Sequence, residues 1–381
     1  MEKKSFLEKE STRQIIASLL CILGGIVVGF LVLVLLSVFT KNISFGEAVR
    51  GILIILGGPF SSGKNAMFQL GNMIFNATPL IFTGLSVAIA FKTGLFNIGA
   101  PGQYLMGAMT SLLVALSIPS SVLPPVIIWI LALLAGALAG AVWGAIPGFF
   151  KAVLNVNEVI ICIMTNWIAA NVVSWVFNGS KFINYAETKI NFIVKTETNN
   201  IATATLGLDR LFSGGSVKSY IDISIFIGIL VAIGLNIMMN KTVFGYELKA
   251  CGFNKNASKY AGMNERRNII LAMAIAGALA AAGAALWCLN GHQDFKWDTY
   301  QTLPADGFNG IVVALLGANN PIGVVFSSLF LKYINVGGSN LAANTSFNEY
   351  VSQLIIAMIV YFSGFAQYIT LMMRSRKKKE K

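Results

Sequence analysis

The sequence predicts an all-α polytopic membrane protein of about ten transmembrane helices, some of them broken or re-entrant, and three observations predict it. Of its 381 residues, 56% are hydrophobic and 12% charged, whereas a soluble domain carries about 25% charged residues. Apolar runs of about 20 residues, each long enough to cross a bilayer as a helix, recur along the chain. The runs do not alternate as barrel strands would, and hydrocarbon cannot satisfy free backbone groups, so the spans are helices.

Residues 1–14 are polar and read as a cytoplasmic tail ahead of a single transmembrane domain, 15–373. The run 15–40 is too long for a signal-peptide core and lacks a small-residue cleavage site, so it is a retained first span. Residues 41–70 form a partly amphipathic connector, and 73–91 the second span, ending at Lys92. The third, 96–116, begins inside a Gly/Pro cluster, Asn97-Ile98-Gly99-Ala100-Pro101-Gly102. The fourth, 123–150, carries Gly136, Gly140, Gly144 and Gly148 at every fourth position, a spacing that lets another helix approach closely. The fifth is 156–177, and the polar stretch 178–219 is the largest loop. The sixth span, 220–239, is followed by a basic segment, 240–268, and by an Ala/Gly-rich seventh, 269–289. Two shorter apolar pieces, 307–316 and 321–336, are broken at Gly317-Ala318-Asn319-Asn320. They form either a re-entrant pair or two short helices. The last span is 349–373, followed by a basic tail, 374–381.

The net charge of +12 lies in short loops and tails beside apolar runs. That is the positive-inside pattern and not a nucleic-acid-binding face. Placing the two strongest basic clusters, 241–267 and 374–381, in the cytoplasm sends the sixth span inward and the seventh outward. Both termini then lie in the cytoplasm, with Lys92 and Lys151 on the same side and the loop 178–219 outside a plasma or inner membrane.

Chemistry within the chain is limited. Cys21, Cys162, Cys251 and Cys288 are scattered and His292 is the only histidine, so no metal site, disulfide framework, catalytic triad or cofactor is expected. Residues 58–65, Gly-Pro-Phe-Ser-Ser-Gly-Lys-Asn, nearly spell a phosphate-binding loop, but Asn65 replaces the required Ser or Thr and no βαβ unit surrounds it. The segment is read as a turn, and the chain as having no ATPase of its own.

The basic segment 240–268 contains a short helix-forming stretch, Ala257 to Ala261, with Asn254 or Asn256 placed to cap its start and Gly262 its end. A short capped helix between spans suits docking against a partner. This segment resembles the cytoplasmic coupling loop of ABC importer permeases related to the ribose and branched-chain amino-acid systems. The matching residues are Lys249-Ala250, Gly252-Phe253-Asn254, Ala257-Ser258 and Ala261-Gly262-Met263. Residues 94–103 (Gly-Leu-Phe-Asn-Ile-Gly-Ala-Pro-Gly-Gln), 156–160 (Val-Asn-Glu-Val-Ile) and 307–317 (Gly-Phe-Asn-Gly-Ile-Val-Val-Ala-Leu-Leu-Gly) agree in order. The first and last of these look closest to the nucleoside-importing branch. The resemblance runs from about residue 79 to 365, with Pro101 where relatives tend to have Glu and Asn309 where they tend to have Asp. It implies a type II importer fold of ten helices per subunit. The partners it implies are a second permease subunit, expected to be a paralogue, two ATP-binding subunits and an extracytoplasmic substrate-binding lipoprotein. It also implies that Gly252, Asn254, Ala257, Ala261 and Gly262 couple the chain to the ATPase.

Polar and aromatic residues in the spans supply the pathway candidates: Phe96, Asn97, Gln103, Glu158, Asn166, Trp167, Asn171, Phe308 and Asn309. Asn97 and Asn309 each sit in a Phe-Asn pair opening a broken segment, one in each half of the chain. Paired interrupted helices flank binding sites in transporters, although an asparagine there can equally cap a helix. The set offers amides and aromatics rather than charge pairs, which suits a neutral hydrogen-bonding solute, nucleosides first and simple sugars or branched-chain amino acids after them. An ion-coupled secondary transporter is the reading from another class, disfavoured because the spans hold almost no mid-membrane charge. A channel or passive scaffold leaves the capped loop without a role.

Overall fold

The computed structural model describes residues 10–39, 43–184, 186, 189–191, 203–214, 217–365, 368–369 and 372. The basic tail 374–381 and most of the N-terminal tail lie outside the described residues. The described helices are α1 (Glu10–Phe39), α2 (Phe45–Gly57), α3 (Ala66–Lys92), α4 (Ala100–Ser117), α5 (Pro125–Leu154), α6 (Glu158–Phe177), α7 (Leu208–Leu211), α8 (Ser224–Lys241), α9 (Val243–Phe253), α10 (Lys255–Tyr260), α11 (Glu265–Cys288), α12 (Ala305–Leu316), α13 (Pro321–Asn344) and α14 (Glu349–Ser363). Three short strands join them: β1 (Ile183–Asn184), β2 (Lys189–Asn191) and β3 (Asp294–Lys296). Seven helical segments among the described residues are long and apolar enough to cross a membrane, and α12 is a shorter apolar helix. This is the all-α polytopic membrane fold that the composition predicts.

Local sequence explains where the helices start and stop. Ser44 caps α2 in a reciprocal box with Glu47, and asparagines cap α6, α10, α11, α13 and α14 with their side-chain oxygens. The expected connector 41–70 is more ordered than a linker: it contains α2, a 3-10 turn over Gly58–Asn65 and the first turn of α3. The near-phosphate-loop is thus a turn, bent by the positive φ of Gly58 and Gly63. The break between α12 and α13 falls at the predicted place, with Ala318 and Asn319 in the left-handed region. At 24 residues α13 is long enough to cross a bilayer, whereas the 12 residues of α12 are not.

The chain divides into two compact units, one comprising 1–74, 210–219 and 312–381, the other 75–209 and 220–311. In the first, α1 runs against α14 and α2 against α13, around buried Leu33, Ile55, Ile334, Leu341 and Ile355. Asn340 on α13 holds the 3-10 turn, donating to the Gly58 carbonyl at 2.9 Å and the Ser61 hydroxyl at 3.0 Å and exchanging hydrogen bonds with Gln69.

In the second unit α5 and α11 meet backbone to backbone. A methyl group on Gly144 would stand 2.9 Å from Gly277 Cα, and one on Gly277 would stand 3.0 Å from Gly144 Cα. The glycine ridge predicted on the fourth span therefore serves close approach, its partner being the Ala/Gly-rich α11. Beside α4, α6 and α11, the strands form an antiparallel sheet in the order β1-β2-β3, with Ile190 opposite Ile183 and Phe295. Asp222, just before α8, is fully buried and accepts from the Ser224 N–H at 2.9 Å and from the Asn290 amide at 2.5 Å.

Candidate functional site

The predicted pathway residues separate into a buried group and an unpacked group. Asn97 is completely buried where the chain enters α4. Its amide donates to Ser86 Oγ at 3.0 Å and Gln103 Oε1 at 2.8 Å, and its oxygen accepts from Gly99 N–H at 3.2 Å and Gln103 Nε2 at 3.0 Å. Asn166 on α6 completes the knot, accepting from Gly102 N–H at 2.8 Å and donating to the Ile98 carbonyl at 2.9 Å. Unwound backbone in a membrane interior needs such partners. Gly102 is the close-approach residue here, since a methyl on it would lie 2.8 Å from Asn166 Cα. Asn97, Gln103 and Asn166 thus spend their hydrogen bonds on holding the broken helix.

The second broken segment meets the first within the same unit. A methyl on Gly307 would stand 2.6 Å from Pro101 Cα, and one on Gly310 would stand 2.7 Å from the Thr83 carbonyl carbon. Thr83 Oγ1 donates to the Asp306 carbonyl at 2.8 Å. Phe308 is 41% exposed and Asn309 half-buried. Phe96 is also half-buried, its ring centroid 5.1 Å from that of Phe91.

Glu158, at the start of α6, forms an ion pair with Lys151 on α5 at 2.8 Å, so its charge is answered locally. Further along α6, Ile160, Met164, Trp167, Asn171 and Trp175 share one helical stripe that is exposed among the described residues. Asn171 donates to its own helix, at the Trp167 carbonyl, at 2.8 Å.

The segment resembling a coupling loop folds into α9 and α10. Asn254 Oδ1 accepts from Ala257 N–H at 3.0 Å, and Gly262 follows α10 with φ of +78°, as the capping pattern predicts. Phe253 and Tyr260 are 91% and 93% exposed. Beside them a groove of about 550 Å³ is lined by Tyr246, Lys249, Phe253, Ala257, Ala261 and Met263 among others. Next to Phe253 in the chain, a methyl on Gly252 would lie 2.8 Å from Gly94 N. The end of α9 therefore bears directly on the backbone that leads into Phe96 and Asn97. Leu248 of α9 and Leu95 share a buried cluster with Cys162.

A cleft of about 380 Å³, lined by both aromatic and acidic residues, was not foreseen from the sequence. It is walled by Tyr104, Trp287, Phe295, Asp298, Gln301 and Asp306 among others. These residues come from α4, α11, β3, the extended segment after it and the first turn of α12, and no local motif joins them. The only signal was indirect: several acidic and amide residues crowded between two apolar runs at 293–306.

The family described as branched-chain amino acid transport system, permease component, matches residues 69–363. Among curated proteins, the chain is 32% identical to the guanosine ABC transporter permease protein NupP of Bacillus subtilis, over 86% of this chain and 92% of that one. It is 31% identical to the nucleoside ABC transporter permease protein NupB of Lactococcus lactis, over 96% and 95%. It is 28% identical to the glucose ABC transporter permease protein TsgB13 of Haloferax volcanii, over 80% and 78%. No solved structure matches the chain. With multiple apolar spans, a broken α4 entry packed against the first turns of α12 inside one unit, and a family match over most of its length, the chain belongs to this permease family and is the membrane-embedded transport subunit of an ABC importer.

Proposed function

We propose that the chain forms part of the translocation pathway of an ATP-driven nucleoside importer in the plasma or inner membrane. The observation that carries this reading is the similarity, over nearly the full length of both chains, to permeases whose names specify guanosine and nucleosides. The unpacked stripe of α6 agrees with it in chemistry: Trp167, Trp175 and Asn171 offer aromatic faces and an amide without a fixed charge. A glucose permease among the relatives makes simple sugars the second reading.

In this reading the chain acts as one permease domain over 15–373, with both termini and 240–268 in the cytoplasm and 178–219 outside. ATP-binding subunits dock on the groove beside α10, with Gly252, Asn254, Ala257, Ala261 and Gly262 shaping the contact. Movement there reaches the broken α4 entry through the Gly252–Gly94 backbone contact. A second permease subunit, a paralogue of this one, covers the α6 stripe and closes the pathway, lipid surrounds the remaining apolar faces, and a substrate-binding lipoprotein delivers the solute from outside.

The test is uptake by the complete transporter in proteoliposomes, comparing labelled uridine, guanosine, ribose and leucine. Nucleoside uptake that requires ATP inside the vesicle is expected. Leucine or ribose uptake without nucleoside uptake would overturn the substrate assignment.

A further inference from the structure

The cleft at Tyr104, Trp287, Phe295, Asp298, Gln301 and Asp306 has features of a built ligand site rather than a packing gap. Its volume of about 380 Å³ lies within the range of about 300–1,000 Å³ of small-molecule sites. Its wall is fixed at several points. Ser174 Oγ donates to the Asp298 carbonyl at 3.0 Å, Trp297 Nε1 donates to the Ser174 carbonyl at 3.4 Å, and Gln301 N–H donates to Ser174 Oγ at 3.3 Å. Position matters as well. Trp287 lies 22 residues along α11 from Glu265, about 33 Å at 1.5 Å per residue, so the cleft is at the opposite end of the helix from the coupling segment.

The lining defines the ligand. Three aromatic rings suit a flat heterocycle. Among the side chains on the cleft, Asp294 is paired with Lys189 at 3.1 Å, and the remaining carboxylates, Asp298 and Asp306, outnumber the single lining cation Lys296, which disfavours a phosphorylated or otherwise anionic solute. Among the described residues no group of three or more His, Cys, Asp or Glu is placed to hold a metal ion. A carboxylate can accept hydrogen bonds from ribose hydroxyls.

We propose that this cleft is the receiving site of the permease for a neutral nucleoside, its base against Tyr104, Trp287 and Phe295 and its ribose diol hydrogen-bonded to Asp298 and Asp306. The proposal rests on the nucleoside reading above and adds the place where the solute first binds this chain. Dideoxynucleosides, which lack the diol, are poor substrates for it, and nucleoside monophosphates are excluded.

The experiment measures uptake of labelled uridine and 2′,3′-dideoxyuridine by the complete transporter in proteoliposomes, with Asp298→Asn, Asp306→Asn and the double variant. Losing the charge of a carboxylate–hydroxyl contact is expected to raise KM for uridine about tenfold while leaving the maximal rate within about twofold, and to erase the preference for uridine over the dideoxy analogue. Asp298→Asn changes a side chain on an exposed turn, so it serves if Asp306→Asn does not accumulate in the membrane. Unchanged KM and unchanged discrimination in an accumulating variant, with uridine uptake intact, overturn the site and leave the nucleoside reading standing. No nucleoside uptake by the unaltered transporter overturns both.

Discussion

Asn97, in the unwound stretch before α4, and Asn166, in the middle of α6, serve the same stretch of backbone from different sequence settings. Each is buried and bonded to unwound backbone or its neighbours, so each acts on the shape of the α4 entry. Replacing Asn166 with Ala strands the Gly102 N–H and the Ile98 carbonyl, and is expected to lower stability by about 1–3 kcal/mol, read as a loss of thermal stability in detergent. Trp167→Ala, on the unpacked stripe, is expected to leave thermal stability within about 0.5 kcal/mol while reducing uptake. The sequence shows that both positions are polar within an apolar run. It does not show which way they point, because in a membrane the lipid-facing and protein-facing sides of a helix are equally apolar and periodicity loses its meaning.

The predicted coupling surface is made of short elements. The helix α10 is legible in the sequence because capping is local: Asn254 three residues ahead of Ala257, and Gly262 in a left-handed conformation just past the end. Bulky charged residues at both Ala257 and Ala261, as in a double substitution to Glu, are expected to abolish ATP-driven uptake without preventing membrane insertion. Uptake and co-purification of the ATP-binding subunits together are the measurement, and normal values of both would remove α10 from the docking surface. Gly252→Ala tests the next link. The added methyl would meet backbone at 2.8 Å, so ATP-binding subunits are expected to remain attached while uptake per ATP hydrolysed falls. On α5 and α11, Gly277→Val would press against Gly140 and Gly144, and a thermal stability loss of about 1–3 kcal/mol is expected from overpacking.

For the whole transporter, the source of energy is the decisive property. With ATP maintained inside proteoliposomes, uptake is expected to persist when ionophores collapse proton and sodium gradients. Uptake that stops under those conditions returns the chain to the ion-coupled class. Glu158, at the start of α6, fits the first outcome, because its charge is already paired with Lys151.

By itself the sequence determined the membrane class, the positions of most of the apolar helices, the break at 317–320 and the capped helix after the sixth span. Each of these depends on composition or on residues within a few positions of one another: apolar length against bilayer thickness, and caps against neighbouring backbone. Tertiary structure alone decided that Asn97, Gln103 and Asn166 form one knot, that Pro101 abuts Gly307, that Gly252 bears on Gly94, and that Tyr104, Trp287 and Asp306 share a cleft. Apart from Asn97–Gln103, six positions apart, those pairings join residues tens to hundreds of positions apart, and the physical reason they escape the sequence is that close approach is set by which small residues meet across two helices, which one helix read alone does not contain.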